Sequence, residues 1–187
     1  PIYYPMAGEK SHHVTVGIYH TASKQTAWVK TTGPADQYLT NIAWSPDDKF
    51  LYIVIVNRGQ DHLWVNQYDA TTGDFIKTLF EESDLKYIEP LHPMLFVPGK
   101  PNQFIWQSQR DGWRHLYLYD TNGSLLAQLT KGNWVVTAVK GFDAAGQNLF
   151  YQSTEAFPLA RHLYKLNLKT KKSQRITNED VVHNVQV

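Results

Sequence analysis

A His-Leu-aromatic triplet recurs three times in this chain, and each copy opens a run of apolar and aromatic residues. The copies are His62-Leu63-Trp64, His115-Leu116-Tyr117 and His162-Leu163-Tyr164, spaced 53 and 47 residues apart (115−62 and 162−115). A period near fifty is longer than a hairpin and shorter than a domain, so the chain reads as stacked copies of one supersecondary unit. The flanks repeat as well. Trp44-Ser45-Pro46-Asp47-Asp48, Phe96-Val97-Pro98-Gly99 and Phe142-Asp143-Ala144-Ala145-Gly146 precede the triplets. Thr71-Thr72-Gly73-Asp74, Thr121-Asn122-Gly123-Ser124 and Lys169-Thr170-Lys171-Lys172 follow them.

Each copy resolves into four short strand candidates separated by Gly, Pro, Asn and Asp turns. In the first copy these are residues 40–44, 50–56, 62–68 and 75–79; in the second, 91–96, 103–108, 115–119 and 125–130; in the third, 135–142, 149–153, 162–167 and 173–177. The second strand is nearly continuous in apolar residues, as in Leu51-Tyr52-Ile53-Val54-Ile55-Val56, which marks a strand buried on both faces. The third alternates more clearly, and the fourth is shorter and more polar, as an outer edge requires. Four-stranded repeats stacked about an axis form a β-propeller. Parallel β-helices use shorter repeats, and sandwiches lack the self-similarity.

The expected fold is therefore all-β: a β-propeller segment of about three complete four-stranded antiparallel blades plus partial blades at both ends. The boundaries read as a single 1–187 unit, with a partial blade and leading segment at 1–31, blades at 38–80, 87–131 and 134–177, and the start of another at 183–187. The one stretch with helical character is residues 80–86, about two turns at most. Because propellers close with about four to eight blades, the chain is expected to be part of a ring whose exposed terminal faces drive self-association. It opens on Pro1 without an initiator Met, as a piece cut from a longer protein would.

Composition excludes several function classes. Lys and Arg total 18 against 17 Asp and Glu, so no basic field exists to hold a phosphate backbone, and nucleic acid is not an expected partner. The absence of cysteine removes thiol catalysis, disulfide scaffolds and Cys-based zinc sites. No apolar run approaches the ~20 residues of a membrane span. An aromatic share of 13% suits pleated sheets.

No G-x-S-x-G elbow surrounds any serine, and there is no H-E-x-x-H, phosphate-binding loop or G-x-G-x-x-G, so no catalytic residue, metal or cofactor is expected in this chain. His62, His115 and His162 occupy equivalent repeat positions, hence separate blades. An imidazole tying a strand end to its neighbour by one donated and one accepted hydrogen bond suits them better than a shared metal. One stretch departs from the template: Glu81 to Pro93 lengthens the link between the first two full copies and accounts for the 53-residue spacing (115−62). Such links project from a rim and commonly carry function, the alternative being a loop that simply packs on the rim.

With these residues in view, the chain resembles the N-terminal propeller of dipeptidyl peptidase IV-type serine exopeptidases, of the prolyl oligopeptidase clan. The cues are Tyr4-Pro5-Met6-Ala7-Gly8, Tyr87-Ile88-Glu89-Pro90-Leu91-His92-Pro93, Phe104-Ile105-Trp106-Gln107-Ser108 with Arg110-Asp111-Gly112-Trp113-Arg114-His115, Leu129-Thr130-Lys131-Gly132-Asn133-Trp134, and Arg161-His162-Leu163-Tyr164. They cover nearly the whole chain, and the wording is similar to that of bacterial members.

The resemblance implies a propeller of about eight blades capping an α/β-hydrolase domain whose Ser, Asp and His remove dipeptides after Pro or Ala. The resemblance further implies that the propeller would restrict entry to peptide substrates with a free N-terminus. The hydrolase domain and the remaining blades would lie elsewhere in the polypeptide, with the hydrolase beyond Val187. The family's paired-glutamate segment has no counterpart here, and Glu81-Glu82 is not it. By alignment on Pro90, Ile88 and Glu89 stand where the family places an aromatic and a basic residue at the edge of the substrate pocket, so they are the candidate substrate-binding residues. A periplasmic or cell-envelope location is implied by the resemblance alone. The alternative reading is a free-standing β-propeller that binds proteins or peptides in the bacterial envelope.

Overall fold

A computed structural model describes residues 9–10, 12–179 and 181–185 of the chain. The Tyr4 to Gly8 cue and the last two residues of the expected fifth segment fall outside them. The chain divides into two compact units, Pro1–Glu89 and Pro90–Val187.

The first unit holds a two-stranded sheet, β1 (Gly17–His20) and β2 (Gln25–Trp28), and a four-stranded antiparallel meander, β3 (Tyr38–Trp44), β4 (Phe50–Val56), β5 (His62–Asp69) and β6 (Phe75–Ser83). Leu51, Ile53 and Ile55 of β4 project from one side of the meander, and with Tyr68 they pack against Ile18 and Val29 of the two-stranded sheet. Tyr52, Val54 and Val56, on the other side, are equally buried, so β4 is covered on both faces as its continuous apolar run requires.

Two meanders make the second unit: β7 (Leu95–Val97), β8 (Lys100–Ser108), β9 (His115–Asp120) and β10 (Leu125–Gln128), then β11 (Val136–Phe142), β12 (Asn148–Ser153), β13 (His162–Asn167) and β14 (Ser173–Arg175). Their shared core runs through Ile105, Leu116, Val136, Leu149, Tyr151 and Leu166. The third strands are buried almost throughout: Leu116, Tyr117 and Tyr119 are all buried, and only Leu118 among them is half-exposed, so the alternation in sequence there is one of size rather than polarity.

Two expectations need correction. Residues 80–86 are not helical. Phe80, Glu81, Glu82 and Ser83 pair with Val65, Trp64, Leu63 and His62, so β6 runs on as a strand until Asp84 starts a turn by accepting a hydrogen bond from Lys86 N. The fourth strand of this blade is consequently nine residues long, whereas β10 and β14 have four and three. The first strand of the second meander is only Leu95–Val97, since Pro90 and Pro93 supply no N–H to a ladder. At the C-terminus, Val182 forms a parallel bridge with Arg161, and 183–185 carry no strand.

Several of the hairpin turns are closed by carboxylates. The Asp69 Oδ1 accepts from Thr71 N, Thr72 N and the Thr72 hydroxyl, and Asp143 Oδ1 accepts from Gln147 N and Asn148 N. The Ser45 hydroxyl donates to Asp47 while accepting from Phe50 N. Backbone donation from Thr72 and Asn148, and hydroxyl donation from Ser45, hold Asp69, Asp143 and Asp47 below the ordinary 3.8. A carboxylate depressed in the folded state stabilises above its unfolded value, and that contribution disappears as pH falls through the folded value. Burial raises the Glu155 carboxyl instead, which carries the opposite sign. The urea midpoint is expected to hold between about pH 7 and 5 and to fall from about pH 4 downward, with a shallower fall in Asp143→Asn. A midpoint that rises in acid would contradict this assignment.

Candidate functional site

The link that leaves β6 is fastened to the turn between β4 and β5, both in the first unit. Residues 57–61 form that turn. Asn57 N donates to His62 O across its base, and Gln60 N donates to Asn57 O. Gln60 takes a left-handed φ of 56°, a conformation that a side chain tolerates at modest cost. The Asn57 amide spans the turn: Oδ1 accepts from Asp61 N and His62 N, and Nδ2 donates to Asp61 Oδ1 at 2.6 Å.

Two carbonyls on the far side of the turn then receive the link. Asp61 O accepts from Asp84 N at 3.0 Å, and Gln60 O accepts from Ile88 N at 2.6 Å. Ile88 is 6% exposed, whereas Glu89 is exposed and Tyr87 is 54% exposed. Of the two candidate residues, Ile88 is therefore the buried anchor and Glu89 turns to solvent. Pro90 confines Glu89 to extended backbone.

Beside this turn, the His62 ring stacks on Trp64 with centroids 4.1 Å apart, and its Nε2 meets Glu81 Oε2 at 2.7 Å. Arg58 lies over the Tyr38 ring and donates to its hydroxyl. A cavity of about 400 Å3 opens alongside, lined by Pro34, Gln37, Ile55, Arg58, Trp64 and Phe75 among others. The corresponding turn of the second unit repeats the arginine: Arg110 stacks on Tyr117 and Tyr119 and donates to the Tyr119 hydroxyl at 2.6 Å.

The histidines differ between blades. His115 Nδ1 meets Thr130 Oγ1 at 3.0 Å and its Nε2 meets Gly132 O at 2.9 Å; His162 Nδ1 meets Thr177 Oγ1 at 3.2 Å. These are strand-to-link ties, whereas His62 faces Glu81 on the neighbouring strand. Among the described residues no three of His, Asp and Glu gather as metal ligands, and no helix is long and apolar enough to cross a membrane. The residues around this turn supply a carboxylate, a phenol and apolar walls. Sequence reasoning singled out Ile88 and Glu89 but missed Asn57 and Arg58. An Asn directly after an apolar strand is the signal for an Asx-type turn, but the link that docks on that turn's carbonyls is not local to it.

The family model described as the dipeptidyl peptidase IV (DPP IV) N-terminal region matches residues 1–187. The chain belongs to this family. Among solved structures, one named as a dipeptidyl aminopeptidase IV of Bacteroides ovatus is similar with a TM-score of 0.86 and 39% identity, covering 92% of this chain and 27% of that one. The dipeptidyl peptidase 4 of Porphyromonas gingivalis gives a TM-score of 0.83 at 30% identity, covering 94% of this chain and 25% of that one. A dipeptidyl peptidase 4 of Arthroderma otae is 28% identical over 187 residues, covering 95% of this chain and 24% of the relative. The meanders of this DPP IV N-terminal-region chain are thus blades of a β-propeller segment, and the chain spans about a quarter of the length of the relatives it matches.

Proposed function

We propose that this chain is the non-catalytic propeller portion of a dipeptidyl peptidase IV-type serine peptidase that removes X-Pro or X-Ala dipeptides from free N-termini. Its blades gate substrate entry, and an α/β-hydrolase domain contributed by other residues of the polypeptide carries the Ser, Asp and His. The observation that carries this reading is the match to the DPP IV N-terminal region along residues 1–187. The absence of a G-x-S-x-G elbow from the sequence supports the division of labour. In this reading the link holding Ile88 and Glu89 borders the substrate pocket, with Ile88 as anchor and Glu89 as the solvent-facing group. An envelope location belongs to the same proposed reading. The free-standing binding module draws no support from the relatives, which are named as peptidases.

Tyr19 and Trp28 lie on one side of the β1–β2 sheet and are 59% and 60% exposed, which supports self-association of the isolated chain. One experiment tests both statements. The 187-residue chain and the product of its full reading frame are compared on Gly-Pro-p-nitroanilide, and the chain's mass is followed by light scattering. The full product is expected to turn the substrate over, and the chain alone to give no turnover and a mass above 21.5 kDa. Hydrolysis by the chain, or none by the full product, would overturn the peptidase reading; a clean monomer at high concentration would remove the self-association.

A further inference from the structure

We infer that Asn57 is a positioning residue for substrate: its side chain sets the shape of the 57–61 turn, and through it the place of Tyr87, Ile88 and Glu89. This rests on the proposed peptidase reading for its functional half, and on geometry alone for its structural half. All three hydrogen bonds of the Asn57 amide fall within the turn or at the first residue of β5, two accepted from Asp61 N and His62 N and one donated to Asp61 Oδ1. Asp at this position would set a second carboxylate against Asp61, and Gln would overreach by one methylene, so the amide at this length suits the role.

The shaped turn presents two carbonyls, Gln60 O and Asp61 O, and both are used by the link. Ile88 N and Asp84 N are their donors, and within the link Lys86 N closes on Asp84 Oδ1 at 2.8 Å. The segment from 84 to 88 is thereby held at both ends, and Pro90 limits the remaining freedom of Glu89. The burial of Ile88 locks the same point from its side chain. A repeat requirement does not explain the arrangement, because the equivalent turn of the second unit has Gln109 at this place and uses Gly112, at a φ of 89°, where the first has Gln60. There Gly112 N donates to Gln109 O, and Ser108 Oγ rather than an amide takes Arg110 N. The asparagine device thus belongs to the blade whose link is lengthened.

The test has two arms. In the 187-residue chain, Asn57→Ala is expected to raise amide hydrogen exchange of Asp84 and Ile88 by about tenfold or more, leaving β4 protected, with Asn57→Ser, which keeps one acceptor, between the two. In the full reading-frame product, the same alanine variant is expected to raise KM for Gly-Pro-p-nitroanilide about threefold to tenfold while kcat stays within about twofold. Exchange unchanged at Asp84 and Ile88 would overturn the inference, as would faster exchange with KM unmoved. Inactivity of the unaltered full product is a failure of the peptidase reading instead, and the exchange arm does not depend on it. Should the alanine variant fail to fold, the serine variant carries both arms.

Discussion

Replacing His115 with alanine is expected to cost about 3–5 kcal/mol of stability. The imidazole has no exposed surface. Its Nε2 faces the Gly132 carbonyl, which only accepts, so Nε2 carries the proton and Nδ1 is the acceptor for the Thr130 hydroxyl. That hydroxyl oxygen in turn accepts from Leu116 N at 2.9 Å. One ring thus joins the start of β9 to two residues of the segment beyond β10, and it stands perpendicular to the Trp134 ring with centroids 4.7 Å apart. Alanine leaves a cavity and strands a carbonyl and a hydroxyl, and the two penalties add.

The chain of bonds makes the assignment testable by parts. Thr130→Val keeps the volume but removes the partner of both Nδ1 and Leu116 N, so about 2 kcal/mol is expected. Thr130→Ser should stay within about 1 kcal/mol. Urea denaturation followed by a signal from the second unit reads all three. A loss below about 1 kcal/mol for His115→Ala would show that the ring fills space without tying the blade.

Gly73→Ala is expected to be the corresponding lesion in the first unit, costing roughly 3 kcal/mol or more. Gly73 has a φ of 75°, where any side chain is strained by about 1–2 kcal/mol. Steric overlap costs more than this strain: an added Cβ would run into the Trp28 carbonyl oxygen and come within 2.7 Å of its carbon and 3.1 Å of Val29 Cα. None of these atoms is a flexible side-chain end. The clash would push β2 off the meander and break the Lys30 N to Gly73 O hydrogen bond of 2.8 Å.

The third blade supplies the control, because Lys171 holds the same place at a φ of 58° and its N donates to Asn167 O as Gly73 N donates to Asp69 O. Lys171→Ala already has a Cβ to spare and is expected to change stability by less than about 0.5 kcal/mol. Thermal melting compares the two, and exchange at Ile18 and Val29 localises the damage. An alanine at 73 as benign as one at 171 would mean that the two sheets of the first unit do not approach each other this closely.

The candidate site was only half legible in the residues. Ile88 and Glu89 came from a resemblance anchored on Pro90, and their unequal roles, one buried and one facing water, are a matter of packing that no motif encodes. Asn57 reads in sequence only as a turn residue, and Arg58 carries no motif beyond that turn. Their partners, Asp61 and His62 on one side and Tyr38 on the other, were visible as residues but not as neighbours. The histidine triplets, by contrast, were legible as strand ties because equivalence along the repeat placed them in different blades. Only His62 departs, taking Glu81 because β6 continues far enough to bring a carboxylate beside it.

What the sequence determined by itself was the period, the order of strands and the meander within each blade. Those follow from local chemistry: the short, β-branched apolar run 51–56 between turn residues suits a strand covered on both faces, and the Asp, Asn and Gly turns fix where each hairpin reverses. The tertiary structure alone decided how far β6 extends, which residues of the lengthened link are pinned, and why Gly73 cannot carry a side chain when Lys171 can. Each of these depends on a partner distant along the chain, and the energy of such a contact is set by where the partner's backbone lies rather than by the identity of the residue.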